Sequence, residues 1–266
     1  MIRHLLEYSD AVPLAVFALS FFGVALAESF WPRQQASASL GPRWTNNIAL
    51  SCLNSGVAYL LLPSGGLETL QSRAGAAAAL WDPIRGNWVL EIALGFVVFD
   101  LAAYWLHRLA HTVPLFWRLH RVHHSDVDVD VTTSYRHHPL EVVYVNAWLI
   151  APFVLLGIPW YALVTYSVAA SGVAALQHGN VRLPRRWEAL VEHALVTTDM
   201  HRLHHSVALA DQTANYGALF SIWDKLFGTY NGRASARERL AFGLAGGTSE
   251  AAQSFVSIML APLGAG

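Results

Sequence analysis

Charge is what this chain of 266 residues has least of: Asp, Glu, Lys and Arg make up 13% of it, against about a quarter in a typical soluble domain. With 54% of its residues hydrophobic, the deficit points to lipid as the solvent for much of the chain. Cysteine is scarcer still. A single one, Cys52, excludes an intrachain disulfide framework and any cysteine-built metal site, so ligands must be nitrogen or oxygen. There is no basic block and the net charge is −1, which excludes nucleic acid as a partner. Nor does the N-terminus read as a secretory signal: Glu7 and Asp10 precede an apolar run too long for one, with no clear small-x-small cleavage site.

What is present is a series of five apolar runs: Ala11 to Phe30, about Asn46 to Leu62, Asn87 to His107, Val142 to Leu156 and Trp160 to about Leu176. At 1.5 Å per residue they approach the ~30 Å needed to cross hydrocarbon, and the second, fourth and fifth are short enough to tilt or re-enter. The biased stretch "AGAAAAL" at 74–80 reads as a short interfacial helix. If all five runs cross, 14 of the 17 Lys and Arg residues fall on the side holding 31–45, 107–141 and 177–266. The positive-inside rule makes that side cytoplasmic. Every one of the 13 histidines except His4 lies on it too. The expected fold class is therefore all-α: one integral-membrane helical bundle over 1–266, with four to five membrane helices and a cytosolic histidine-rich helical cap.

The histidines form three clusters: "HRLAH" (His107, His111), "HRVHH" (His120, His123, His124) and "HRLHH" (His201, His204, His205). On a helix, i and i+4 lie about 40° apart and i and i+3 about 60° apart, so each cluster fills one face and can converge on one point. Interfacial histidines that bind headgroups, cap helices or sense pH would be scattered instead. Eight imidazoles exceed the four ligands of a closed zinc site and the three of a catalytic one, which favours a pair of ions. Neutral imidazole suits Zn, Cu, Fe or Ni. It leaves the ions' charge uncompensated, a setting suited to activating O2 against an inert C–H bond.

These motifs, with "SDVDVDVTTSYRHHPLE", "QHGNVRLP" and the closing "NYGALFSIWDKLFGTY", resemble the fatty acid hydroxylase/sterol desaturase superfamily of membrane non-haem di-iron enzymes over roughly 92–230. The resemblance implies nine ligands, His107, His111, His120, His123, His124, His178, His201, His204 and His205, for two Fe ions, with zinc able to replace them on isolation. It implies a lipid substrate reaching the histidines from the bilayer, and no catalytic residue beyond the metal centre. His138 matches the family's His-Pro position as a ligand or as a residue that orients one, while His137, His193 and His4 are read as bystanders. Asp100, an acid inside an apolar span, invites either a role at the metals or a hydrogen bond to a neighbouring helix. Asn180 and Asp199, with Glu141, Asn215 and Asp224, are candidates to hold ligand imidazoles by their far nitrogens. Arg108, Arg121 and Arg202 are expected to snorkel to headgroups or pair with acids. Trp105, Trp117, Trp148, Trp160, Trp187 and Trp223 are expected in an interfacial belt.

The leading expectation is O2-dependent hydroxylation or desaturation of a sterol, fatty acyl or related lipid. Electrons would come from a separate donor, a ferredoxin, a cytochrome b5-like protein or a reductase. The competing one is a membrane metal carrier using the same histidines without redox turnover. A carrier needs polar residues along its spans, and Glu28, Glu91 and Asp100 are the few on offer.

Overall fold

The computed structural model describes residues 11–62, 65–72, 75–232, 239–244 and 253–264. His4 lies outside them. Their order is α1 (Ala11–Phe30), α2 (Leu40–Leu61), α3 (Gly66–Ser72), a 3-10 helix (Gly75–Ile84), α4 (Trp88–Thr112) and α5 (Pro114–His124). A second 3-10 turn (Val131–Tyr135) leads to α6 (Pro139–Leu156) and α7 (Trp160–His178). Short helices α8 (Arg185–Val191), α9 (Thr198–His204), α10 (Leu209–Gln212), α11 (Ile222–Leu226) and α12 (Phe255–Leu260) complete it. Among the described residues the only β pairing is three isolated bridges, so the chain is all-helical.

All five apolar runs are helices, and α2, α4 and α6 extend three to six residues beyond the expected bounds. By length and composition, three stretches among the described residues can cross a membrane: Leu40–Ser72, Trp88–Thr112 and Pro139–Leu156; Leu14–Phe30 is a shorter apolar helix. The fifth run, α7, stands outside that set, diluted by Thr165, Ser167, Ser171 and Gln177. Large side chains face outward along these helices, Leu19 at 76% and Leu60 at 81% exposure among them. Such an apolar exterior fits hydrocarbon rather than water.

The helix boundaries follow local chemistry. Asn87 caps α4 by accepting from the Leu90 N–H, and Pro114 and Pro139 occupy the first turns of α5 and α6, where a missing N–H costs nothing. Gly157 ends α6 in the left-handed region at φ 62°, and a Cβ there would lie 2.6 Å from the Ala77–Ala78 backbone. α2 begins six residues before the expected run because its first turns carry a polar face turned inward. There Arg43 donates to Asp126 at 2.9 Å and pairs with Asp130, and Asn47 donates to Asp126 and Thr132, both at 3.0 Å.

Arg136 completes that network by donating to the Val122 carbonyl at 3.0 Å and the Ser125 hydroxyl at 2.9 Å. The "DVDVDVTTSYR" segment is thus clamped over the end of α5, which carries three histidines. Burial alone would raise the Asp126 carboxyl; the charges of Arg43 and Arg136 outweigh it and hold the group below the usual carboxylate range. α4 packs against α5, α6 and α7, and α1 against α7, around a core of Phe99, Phe153, Ile158, Ala162 and Tyr166. The histidine-bearing ends of α4, α5, α7 and α9 meet at one end of this bundle.

Candidate metal centre

Nine imidazoles come together there in two groups. The first is His107, His111, His120, His124 and His204; the second is His123, His178, His201 and His205, and within each group one ligand atom per residue lies within 4.8 Å of every other. The three sequence clusters do not each converge on one point, as their spacing led us to expect. Each i, i+4 pair stays together, and the i+3 histidine of the last two clusters goes to the other group. Steps of 100° explain the division: His123 and His124 point 100° apart, whereas His120 and His124 differ by about 40°. The same rule sends His201 and His205 to one group and His204 to the other.

The ring nitrogens are set for a metal. His107 Nδ1 donates to the Tyr216 carbonyl at 2.9 Å, His204 Nδ1 to the Ala214 carbonyl at 2.7 Å, and His178 Nδ1 to the Ala174 carbonyl at 2.8 Å. A carbonyl only accepts, so each proton is on Nδ1 and each Nε2 keeps its lone pair. His120 Nδ1 meets the Glu141 carboxylate at 2.6 Å. In the first group, Nε2 of His107, His111, His120, His124 and His204 is buried without any hydrogen-bond partner. Buried polar atoms left unpaired are costly, and five around one point fit a bound cation.

In the second group the Nε2 atoms touch one another: His178 to His123 at 3.1 Å, His201 to His178 at 2.9 Å and His205 to His201 at 3.2 Å. Nitrogens ~2.1 Å from a tetrahedral ion sit about 3.4 Å apart, so a few tenths of an ångström separate this packing from a metal site.

Burial is the main reason these rings stay neutral. It drives His123, His124, His201 and His205 well below the ordinary imidazole value, with neighbouring imidazoles adding to the effect, and pushes His204 down to about 3. Neutral imidazole is the form that ligates. His137 behaves oppositely: burial would lower it, but the charge of Glu141 and a hydrogen bond to it raise it. Its Nδ1 lies 3.3 Å from Glu141 and its ring stacks on His123 at 4.5 Å. Glu141 thus stands between His120 and His137.

The remaining candidates lie outside both groups. His138 caps α6, accepting from the Leu140 N–H at 3.2 Å, and its Nε2 faces the Met259 carbonyl at 3.2 Å. Asn180 donates from its backbone to Glu28 at 2.6 Å, and Asp199 pairs with Arg33. Asp100 accepts from the Leu219 and Phe220 N–H groups and from Trp223 and Tyr166, at 2.8 to 3.1 Å. Asp224 takes the Tyr216 and Gly217 N–H groups, both at 2.8 Å. The two acids hold the 214–220 loop, whose Ala214 and Tyr216 carbonyls orient His204 and His107. Those backbone acceptors are invisible to side-chain reasoning, although Asn215 at φ 57° marks a residue type that tolerates the turn.

One expectation needs correcting. Arg202 does not snorkel: it is 1% exposed, donates to the Val129 carbonyl at 2.5 Å and stacks on Phe242. Arg121 instead binds the carbonyls of Ala261 and Gly264, and Arg108 lies over Trp105. Trp117, half-buried, packs on His111 and His124, and Trp223 donates to Asp100. His193 is exposed, its ring bonded to its own helix.

A cavity of about 400 Å³ opens onto both groups, reaching His107 and His120 of the first and His123, His178 and His201 of the second. Elsewhere its wall is mostly apolar, with Ala103, Leu106, Val145, Leu149 and Ala170.

A model of the fatty acid hydroxylase family matches residues 92–229, just over half of the chain. The ornithine lipid hydroxylase OlsE of Rhizobium tropici is 28% identical over 233 residues, covering 86% of this chain and 68% of that protein. The alkylglycerol monooxygenase of Homo sapiens is 30% identical over 157 residues, 56% of this chain but 32% of that protein. A very-long-chain aldehyde decarbonylase of Oryza sativa subsp. indica is 28% identical over 179 residues, 67% of this chain and 64% of that protein. The chain thus spans about two thirds of the first and third relatives and about one third of the second. No solved structure matches it.

Proposed function

This chain belongs to the fatty acid hydroxylase family, and on that premise we propose that it is an O2-dependent membrane lipid hydroxylase with one iron ion in each group of imidazoles. The observation that carries the reading is the cavity: one apolar chamber opens onto two separate sets of buried, neutral ring nitrogens. Iron held there would supply O2 activation for attack on an inert C–H bond. The chain's own residues prepare that chemistry. The Tyr216 and Ala214 carbonyls and Glu141 fix the tautomer and direction of His107, His204 and His120, which raises their basicity toward a cation. The apolar wall keeps water out and holds a methylene near the imidazoles, and that placement decides between adding OH and removing a second hydrogen.

The substrate we assign is a sterol, fatty acyl or related lipid taken from the bilayer, and two relatives carry lipid names, an ornithine lipid hydroxylase and an alkylglycerol monooxygenase. We assign the electrons to a separate donor of the ferredoxin, cytochrome b5-like or reductase class. We assign the histidine end to the cytoplasmic face, a reading that the basic-residue asymmetry supports. A metal carrier is the weaker reading because the acids that would make its polar path are already bonded. Glu28 is bonded to the Val131 and Asn180 N–H groups, Glu91 to Tyr161, and Asp100 to four donors.

The test is lipid oxidation in cells supplied with a competent donor, read as a mass gain of one oxygen or loss of two hydrogens. Oxidised lipid is expected from wild type. Metal-loaded protein that oxidises nothing across a broad lipid panel would move the assignment to the carrier.

A further inference from the structure

A second cavity, about 520 Å³, lies beyond the histidine chamber, lined by Leu14, Phe17, Leu62, Leu67, Ile150 and Leu163. The two share Leu149, Ser167 and Ser171 as a common wall. The outer cavity sits toward the ends of α1, α2 and α7 that are remote from the histidines. Ser171 is seven residues before His178 on α7 and Ser167 eleven, or about 10 and 16 Å along the axis. The molecule therefore has an apolar compartment toward one end of the spans, two hydroxyls part-way, and imidazoles at the other end.

Hydroxyls on membrane helices ordinarily donate to the carbonyl four residues back. Ser20, Ser29 and Thr165 do so here at 2.6 to 2.8 Å. Among the described hydrogen bonds, Ser167 and Ser171 make no such bond. They share one face of α7 at i, i+4 spacing and both line the junction of the cavities. Beside them the Tyr135 hydroxyl is buried and lies against the hydroxyls of Ser20, Ser134 and Ser171. Ser167, without a partner among the described residues, and Ser171 with Tyr135 beside it put hydroxyl donors between two apolar chambers, where an acceptor on the ligand can meet them.

Building on the lipid hydroxylase reading, we propose that Ser167 and Ser171 bind the ester or amide carbonyl of a lipid whose tail fills the outer cavity, so that the atom oxidised lies on the headgroup side of that carbonyl. An acyl tail matches the apolar compartment, and the span ends, where the imidazoles are, sit at headgroup depth. The site thus sets which part of the lipid meets the metals.

The test uses metal-loaded protein in detergent and two probes of equal length, methyl palmitate and hexadecyl methyl ether, which lacks the carbonyl. Wild type should bind the ester about five-fold or more tightly than the ether, the worth of one hydrogen bond. The Ser167→Ala/Ser171→Ala double variant should lose that preference while keeping its affinity for the ether and its metal content. Alanine suits the helix, and Ser171→Thr in the Ser167→Ala background, which keeps one hydroxyl, should restore part of the preference. In cell lipid extracts the added oxygen should fragment with the headgroup. An undiminished ester preference in the double variant, equal loss for both probes, or oxygen on the tail would overturn the proposal. An ester preference abolished by the double variant, in a protein that oxidises nothing with a competent donor, would instead remove the hydroxylase reading and leave the carbonyl site standing.

Discussion

The two groups of imidazoles draw on the same helices and yet are held differently. In the first, His107, His120 and His204 each pass Nδ1–H to an acceptor outside the ring set, two of them backbone carbonyls of a loop pinned by Asp100 and Asp224. In the second, only His178 has such an anchor, while Nδ1 of His123 and of His201 is buried without a partner. Ring packing holds the rest: His123 stacks on His137 at 4.5 Å and His205 on His124 at 4.4 Å. Anchored ligands need little rearrangement to bind, so on the proposed reading the first group is pre-organised and the second would rely more on an ion.

The largest expected effect comes from removing a ring shared through the packing. His204→Ala opens a position in the first group and disturbs His201 and His205 beside it, so lipid oxidation should fall by about a hundred-fold or more while the spans still fold. Product mass in extracts measures it, and activity equal to wild type would remove this assignment. Next is Glu141→Gln, which weakens the anchor on His120. Loss of an outer partner costs about 10- to 100-fold in metal affinity, here confined to the first group. Equal weakening at both sites in a competition titration would erase the distinction between them. Graded chelation sharpens it further: the second group should release its ion first, and release in the opposite order would reverse the comparison.

Much of this was legible in the sequence, for identifiable reasons. Helical periodicity reports which histidines share a face, and apolar length reports the spans. Both are local properties. The 100° helix step already parts His123 from His124. Which rings of different helices then fall in one group depends on how α4, α5, α7 and α9 are rotated against one another, and no local pattern encodes that. Asp100 signalled itself as an acid inside a span, but its partners at Leu219, Phe220 and Trp223 lie more than a hundred residues away. The early start of α2 was hidden because Arg43 and Asn47 look soluble until Asp126 and Asp130 are placed against them.

Acid should affect the metal-free protein through both groups. His204 is held at about 3, and His123, His124, His201 and His205 are also depressed, chiefly by burial. Unfolded imidazoles titrate near ~6.5. Between the folded and unfolded values the unfolded chain binds more protons, so stability is complete above about pH 6.5 and is lost as pH falls toward about 3. The melting temperature of chelated protein should therefore fall across that window. A flat profile between about pH 6.5 and about 3 would contradict the reading of these rings as buried and neutral. The smallest effect is His193→Ala, outside both groups, which should leave oxidation near wild type; His137→Ala, touching His123 and Glu141, should have at most a partial effect.

Counting metal ions tests the central claim most directly. Purified, unchelated protein should carry two ions per chain, iron from cells given iron and zinc where zinc has replaced it, since imidazole sites favour Zn²⁺ over Fe²⁺. His204→Ala should retain no more than the second group's ion and His178→Ala no more than the first's. One ion or fewer in well-folded wild-type protein would contradict a centre built from two separate groups of histidines.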